Sequence, residues 1–536
     1  MSMLHNQSHL GLVVGGSLDR GLDIKLDKSS NLEEIKVGTY VTIHGTERRF
    51  LGMITDVRLE MIDQSLSQIP PDMSNPLIES SLSGTTFFGS LDVRPMLTIE
   101  NQPVTNAPQP VKTVPSHFTK VTVASDEDIN AVFGEEDKQH FHVGSPLDME
   151  IRIHLDLENL VMRSSGVFGK SGTGKTFLTR LILLGIAQKQ IAANLVFDMD
   201  NEYGWQGSSE AGHPVKGLKQ IYPNRVEVFT LDQNYSVKHR HQIDHVVEIG
   251  FDDITASDIA VLGETFNITE IGVETTYLLQ GRWGNSWLST FFDKSETTSF
   301  EELADEFNAH PGALQALWRR LQNVKRFKFM RDGQGNESIQ RVLNALKIGK
   351  TVVLEFGQYS RDLAAYMLVA NLLTRRIHAN YADMDDDSQQ KPLIITIEEA
   401  HKFLNTDVGS RSIFGTIARE DRKNKVTLLV VDQRPSGIDD DVMSQLGTRF
   451  SCLLDDERDI DAVLSGNAAR TELRRVLSRL ESKQQALIFG HGVPMPIVIQ
   501  TREYGSSDSY KAFPPVGTDD QADPEEWETL FKSPTE

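Results

Sequence analysis

The stretch VFGKSGTGKT, Val167 to Thr176, decides the fold. Gly169 to Thr176 fits the pattern G-x-x-x-x-G-K-[ST]. It is followed by FLTRLILLGIAQKQ, whose apolar residues recur at helical spacing, and then by ANLVFDMD, which reads as a buried strand. Strand, glycine loop, helix and strand in that order make a phosphate cradle. Glycines let successive backbone N–H groups converge on phosphate oxygens, and the helix N-terminus adds its dipole. Lys175 is then expected on the β- and γ-phosphates of a nucleotide and the Thr176 hydroxyl on Mg2+. Gly169, Ser171, Gly172, Thr173, Gly174 and Phe177 complete the predicted contact set. The bland alternative is a glycine-rich turn that only starts a helix.

Working outward, apolar strands return at TVVLEFG, LIITIE, VTLLVVDQ, RFSCLL and ALIFG, with helices such as Asp362 to Ala379 between them. Alternation of this kind predicts an α/β core with a parallel sheet covered on both faces. From about Phe251 to Leu346 the chain reads as almost wholly helical, an inserted helical bundle carrying Trp283, Trp287 and Trp318. From His9 to about Thr98, short alternating runs such as TYVTIHG and FLGMITDVRLE predict a small antiparallel β-barrel or sandwich. Pro70 to Pro76 and Asn101 to Pro115 read as loops or linkers, and the segment from there to Glu136 as irregular and acidic. The expected domains are 1–150 (barrel and linker), 151–250 and 347–503 (ATPase core), 251–346 (helical insertion) and 504–536, an acidic strap or disordered tail.

The 536 residues suffice for two to four domains. Lys+Arg 54 against Asp+Glu 76 gives a net charge of −22, which disfavours indiscriminate adhesion to nucleic acid or acidic membranes but leaves room for a local basic channel. The single cysteine, Cys452, excludes an intrachain disulfide framework and a multi-thiolate zinc site, so a reducing, cytoplasmic setting is expected. No signal segment and no membrane span is expected either.

ITIEEAH, Ile395 to His401, ends an apolar run on two carboxylates. In a phosphate-loop fold one such acid serves the Mg2+ shell and a second activates water: Glu398 suits the first task and Glu399 the second. A helix start decorated with acids is the alternative. His401 either couples the site to another loop or packs. TLLVVDQRPSG, Thr427 to Gly437, is a buried strand ending at Gln433, which can sense the γ-phosphate by hydrogen bonding. Upstream, Arg419 to Lys423 is either a solvated helix end or the source of an arginine finger, with Arg422 the first choice. The patch WRRLQNVKRFKFMR, Trp318 to Arg331, is either a DNA-facing surface or a solvated helix face. An N-K-x-D guanine reader is missing, and the transporter signature is only half present at Leu464 to Asn467.

The phosphate loop preceded by Leu160 to Arg163, the strand FDMDNEY (Phe197 to Tyr203), IEEAH, Arg422-Lys423 and Gln433 to Ser436 together resemble the HerA family of hexameric DNA translocases, in the FtsK/HerA division of RecA-like ATPases. The resemblance implies an N-terminal barrel, a RecA-like core, and a homohexameric ring with ATP between subunits and double-stranded DNA in the pore. It also implies a partner: a NurA-like nuclease, or a sirtuin-type or other antiphage effector. Carried onto matching positions, it makes Lys175 and Thr176 binders of nucleotide and Mg2+, Glu399 the catalytic carboxylate, Arg422 the finger and Arg163 a second phosphate-contacting arginine. Asp198 and Glu202 fall near the active site. Three functions follow: a DNA-translocating ATPase, a nucleotide-gated ring scaffold that activates an effector, and a small-molecule kinase, which the long chain and the barrel disfavour.

Overall fold

The computed structural model describes residues 9–513 apart from 102–107, 148, 209–211, 336, 383–390, 410–411, 421–424, 468 and 482–483. Two compact units emerge: residues up to 156 with 169–174 and 448–502, and residues 157–168 with 175–447 and 503 onward.

The first unit contains a closed antiparallel barrel. Its strands are His9–Ser17, Gly21–Leu26, Tyr40–His44, Arg48–Met61, Phe87–Glu100 and Lys120–Val123. The Gly21 strand pairs with both the His9 and the Phe87 strands, which closes the cylinder and leaves it no free edge. Alternate residues point inward, so Val13, Ile24, Val41, Ile43, Ile54, Leu91, Val93 and Val121 form its core. Bulges between Val13 and Gly15 and between Ile54 and Asp56 supply the bending that closure requires.

The stretch before Glu136 is not irregular. Lys120–Val123 pairs with the His9 and Tyr40 strands and is needed for closure. Asp126–Phe133 is a helix whose acids serve its N-terminus: Ser125 and Asp128 form a reciprocal capping box. Asp128, buried in this helix, also accepts from Thr42 Oγ1 at 2.7 Å and is ion-paired to Arg49.

Five further strands of this unit, Thr448–Ser451, Gln485–Gly490, Ile497–Thr501, His140–Pro146 and Ile153–Asp156, pair with one another in that order, each antiparallel to the next. RFSCLL and ALIFG therefore do not extend a parallel sheet in register with one another. ALIFG also pairs antiparallel with the Ile497 strand, because the turn from Gly490 to Ile497 is too short for a parallel crossover, which takes a dozen or more residues.

The second unit is built on a parallel sheet in the order His245–Val246, Val226–Thr230, Thr351–Glu355, Ala193–Asp198, Leu393–Glu398, Val426–Asp432, Ser165–Phe168. Its central strands are buried along almost their whole length, as continuous apolar runs require. The glutamine-tipped Val426 strand separates the acidic Leu393 strand from the phosphate-loop strand, so both tips open at the same C-terminal mouth. Helices Lys175–Lys189 and Leu363–Ala382 cover the sheet, and helices between Ala256 and Lys347 form the inserted segment. Buried Asp258 anchors that segment, accepting from Asn371 at 2.9 Å and Arg375 at 2.6 Å on the covering helix. Trp287 is buried and donates Nε1 to Ile254 O at 2.8 Å. The described part of the tail folds as a helix, Ser507–Lys511, and its strap or disorder beyond 513 lies outside the described residues. No helix among the described residues is long and apolar enough to cross a membrane.

Candidate active site

The glycine loop 169–174 belongs to the first unit by its contacts. Gly172 and Gly174 hold φ of 78° and 92°, a left-handed region that a side chain would strain. Thr173 is buried and donates Oγ1 to Lys170 O at 2.8 Å, pinning the turn, while Ser171 is exposed. The loop hands the chain to Lys175 and Thr176, the first residues of the Lys175–Lys189 helix. Phe177 packs edge-on to Tyr504 with ring centroids 6.2 Å apart.

In the second unit Lys175 faces acids. Glu398, last residue of the Leu393 strand, accepts from Tyr203 Oη at 2.9 Å through Oε1; its Oε2 is sealed from solvent and has no hydrogen-bond partner among the described residues. Burial, then the neighbouring Asp198 and Asp200 carboxylates, push the Glu398 carboxyl up to about 8, against the opposing pull of Tyr203 and Lys175. Asp200 is likewise raised by its partial burial, against Lys175 and Arg361. Tyr366 brackets the strand end, donating its hydroxyl to Glu398 O at 2.9 Å and accepting from Glu398 N at 3.0 Å.

Asp198 explains why the Asp-x-x-x-Glu-Tyr pattern folds as it does. Buried at its strand tip, it accepts from the backbone N–H groups of Glu202, Tyr203 and Gly204 at 2.8, 2.8 and 3.0 Å. That turn delivers Tyr203 to Glu398. Burial and Glu355 push Asp198 up to about 7 in spite of those bonds. Arg180, one helical turn past Thr176, is buried and donates Nη2 to Glu202 O at 2.8 Å.

Glu399 takes φ 47°, a left-handed conformation that costs a side-chain-bearing residue about 1–2 kcal/mol. Its Oε1 accepts from Gln433 Nε2 at 3.2 Å, and its Oε2 lies 3.6 Å from His401 Nδ1. His401 is bound to fully buried Asp432: Asp432 Oδ2 accepts from His401 N at 2.6 Å and from His401 Nδ1 at 2.9 Å, and Oδ1 accepts from Arg434 N at 2.6 Å. Burial acts to raise the Asp432 carboxyl, but the His401 bond and charge and the two backbone donors together hold it below its ordinary value. One ligand atom from each of Glu399, His401 and Asp432 lies within 4.8 Å of the others, a spacing the hydrogen bonds account for.

The structure thus brings Lys175, Glu398, Glu399 and Gln433 to elements of one sheet mouth, and it separates Arg163 from them. Arg163 precedes the N-terminal end of the Ser165–Phe168 strand and lines a small cleft with Ser164, Arg419 and Gln445. Four strand residues, roughly 13 Å, lie between it and the phosphate loop. Arg422 lies outside the described residues; Arg419 pairs with Asp439 at 3.5 Å. In the basic patch Lys325 pairs with Glu296, Arg326 with Asp362 and Arg331 with Glu248. Sequence reasoning missed Asp432, Tyr366 and Arg180 as members of the site. Asp432 alone left a signal, an acid directly before the sensing glutamine.

A phosphate loop opening a helix at the end of one parallel strand, with paired acids on a strand two places away, defines a P-loop ATPase. A family model described as "Helicase HerA, central domain" matches residues 141–377, and one described as "HAS barrel domain" matches residues 10–75. By these matches and its relatives the chain resembles the HerA helicases. It is 24% identical over 484 residues to the DNA double-strand break repair helicase HerA of Sulfolobus acidocaldarius, covering 88% of this chain and 90% of that one. Its likeness to the same-named protein of Sulfurisphaera tokodaii is 23% over 512 residues, covering 92% and 93%. Among solved structures, plasmid coupling protein TrwB with a non-hydrolysable ATP analogue superposes with a TM-score of 0.46 at 11% identity, over 71% of this chain and 94% of that chain.

Proposed function

We propose that the chain is an ATP-hydrolysing motor that assembles as a cytoplasmic homohexamer, moves along double-stranded DNA, and works with a nuclease or an antiphage effector. One observation carries the catalytic part. Glu398 keeps a buried, unpartnered carboxylate oxygen among other acids, with Lys175 in its field. A carboxylate so placed is incomplete without a cation, and an all-oxygen donor set suits hard Mg2+. Thr176 and Glu398 would hold that ion, which when bound neutralises charge on the triphosphate. Lys175 and the 169–174 loop bind the phosphates. Glu399 accepts a proton from water as the water oxygen bonds to the γ-phosphorus and the bond to the β–γ bridging oxygen breaks, leaving ADP and phosphate. Gln433 orients that water, and Arg422 of a neighbouring copy stabilises the charge that develops. The name shared by the repair helicases it resembles over most of their length supports DNA as the track.

The test is ATP turnover with and without linear duplex DNA, together with native mass measurement of the chain and its genomic neighbour. DNA-stimulated turnover by a six-copy species supports the motor. Turnover that ignores DNA at low salt defeats it.

The ion pairs that occupy Lys325, Arg326 and Arg331, with the net charge of −22, favour a second reading: a nucleotide-gated ring scaffold that activates an effector without processive movement. Its test is the effector's activity on a Glu399→Gln ring. Full activity there supports the scaffold.

A further inference from the structure

Asp432 has no part in the reaction scheme above, yet its carboxylate is as heavily used as that of Asp198. It is fully buried and accepts from two backbone N–H groups, one on each oxygen, and from the His401 ring. A buried carboxylate with three donors is rigid, because each lost bond leaves a desolvated group unpaired. His401, in contact with it, is mostly enclosed, and its Nδ1 sits 2.9 Å from Asp432 Oδ2 and 3.6 Å from Glu399 Oε2. The next residue along, Gln433, holds the other Glu399 oxygen at 3.2 Å. Both oxygens of Glu399 therefore face groups fixed by one two-residue strand tip.

We propose that Asp432 and His401 are positioning residues that, with Gln433, fix the orientation of the Glu399 carboxylate. The inference rests on Glu399 being the water-activating group. Asp432 selects the Nδ1–H tautomer of His401 and fixes its ring plane, so that the N–H edge borders Glu399 Oε2. Gln433 closes the other side. The left-handed backbone of Glu399 turns its side chain away from the continuing strand direction toward these partners. A carboxylate bonded on one side and bordered by a fixed ring on the other has a restricted orientation, and alignment of that kind is what a general base needs in the transition state. The amide that holds Glu399 is also the one that would reach for a γ-phosphate. Transfer of Gln433 from Glu399 to nucleotide frees one carboxylate oxygen for water while the Asp432-fixed His401 ring still borders the other at 3.6 Å. The Asp432–Gln433 tip thereby links nucleotide occupancy to the readiness of the base.

The experiment compares wild type, Glu399→Gln, His401→Gln and Asp432→Asn for ATP turnover and for binding of a fluorescent, non-hydrolysable ATP analogue. His401→Gln keeps a donor but loses the Asp432-fixed ring. Asp432→Asn sets an amide N–H against a backbone N–H. His401→Gln and Asp432→Asn are each expected to lower kcat by about 10–100-fold, the usual effect of losing an orienting partner, with the analogue's Kd within twofold of wild type. Adding either change to Glu399→Gln should then cost nothing further, because the group being positioned is gone. Turnover within twofold of wild type for folded His401→Gln overturns the proposal, and so does a further loss in the Glu399→Gln background. If Asp432→Asn fails to fold, the His401 variant decides alone. Wild-type turnover that Glu399→Gln leaves intact overturns the reading of Glu399 itself, a result distinct from failure of the pair.

Discussion

Two acids with enclosed carboxylate oxygens, one in each unit, show how differently the chain treats negative charge. Asp128 of the barrel unit is compensated from within: Arg49, Thr42 and the N–H of Ser125 use both of its oxygens. Glu398 of the ATPase unit receives one tyrosine hydroxyl, keeps one oxygen bare, and has Asp198 and Asp200 for neighbours. Burial costs both groups hydration. Of these two acids, only for Asp128 does the chain return it with its own atoms. A deficit left open at the mouth of a parallel sheet, beside a lysine that opens a helix, is a place for a cationic ligand and its anion.

The contrast breaks most visibly at Lys175. Lys175→Ala is expected to abolish tight ATP binding and reduce turnover to background, as measured by equilibrium nucleotide binding and phosphate release; wild-type turnover would place the nucleotide elsewhere. Glu399→Gln comes next. It should cost about 10³-fold in kcat while nucleotide still binds, because the amide keeps the shape but cannot take a proton.

How far the sequence showed this depends on whether a feature lies along the chain or across it. Gly169 to Thr176 and Glu398-Glu399 were legible because phosphate cradling and strand-tip carboxylates need contiguous residues, and the strands around them are unbroken apolar runs. The Lys120–Val123 strand was hidden: it has four residues, follows a proline-rich stretch, and is defined by partners at His9 and Tyr40. Asp126 to Asp128 looked like loose acidic chain because a capping box is visible only when Ser125 and Asp128 are read together. Tyr366 and Asp432 reach Glu398 and His401 from other elements, and local spacing says nothing of that. Arg163 is close to the loop in sequence but lies beyond the far end of the Ser165–Phe168 strand.

Within the barrel, Asp128→Ala should destabilise the fold by about 3 kcal/mol, since it strands a largely enclosed Arg49 guanidinium. Denaturant titration would show this, with ATP turnover of the folded fraction unchanged. Glu398→Gln should do the opposite in one range of pH. The folded carboxyls are raised, Glu398 from 4.5 to about 8 and Asp198 from 3.8 to about 7, so as pH rises the unfolded chain releases these protons first. The stability they contribute is full below the unfolded values and is lost as pH climbs through the folded ones. Gln at 398 cannot ionise and removes its share of that loss. In magnesium-free and nucleotide-free buffer the variant should therefore melt with wild type near pH 4 and above it near pH 8. Parallel melting curves at every pH would show that the Glu398 deficit is compensated after all, and would erase its difference from Asp128.

The smallest effect is expected on the surface. Of the cations in the Trp318 to Arg331 patch, Lys325, Arg326 and Arg331 already hold carboxylates, while Arg319 and Arg320 are exposed on the Pro311–Lys325 helix. Exposed ion pairs are individually weak, about 0–1 kcal/mol, so pairing alone does not forbid exchange onto a DNA phosphate. Yet each exchange must first release an acid of the same unit, which leaves Arg319, Arg320 and exposed Lys328 as the patch's readiest phosphate donors. If they line a DNA path, Arg319→Ala with Arg320→Ala should lower the dependence of log affinity on log salt by up to about 2 and remove most of the stimulation of turnover by duplex. If the helix face is merely solvated, stimulation changes by less than about twofold, since charges beyond a Debye length of about 8 Å are screened. The ion pairing favours the second outcome. Loss of stimulation in this double variant, with basal turnover intact, would make the patch a third kind of charged region, compensated at rest and recruited by DNA.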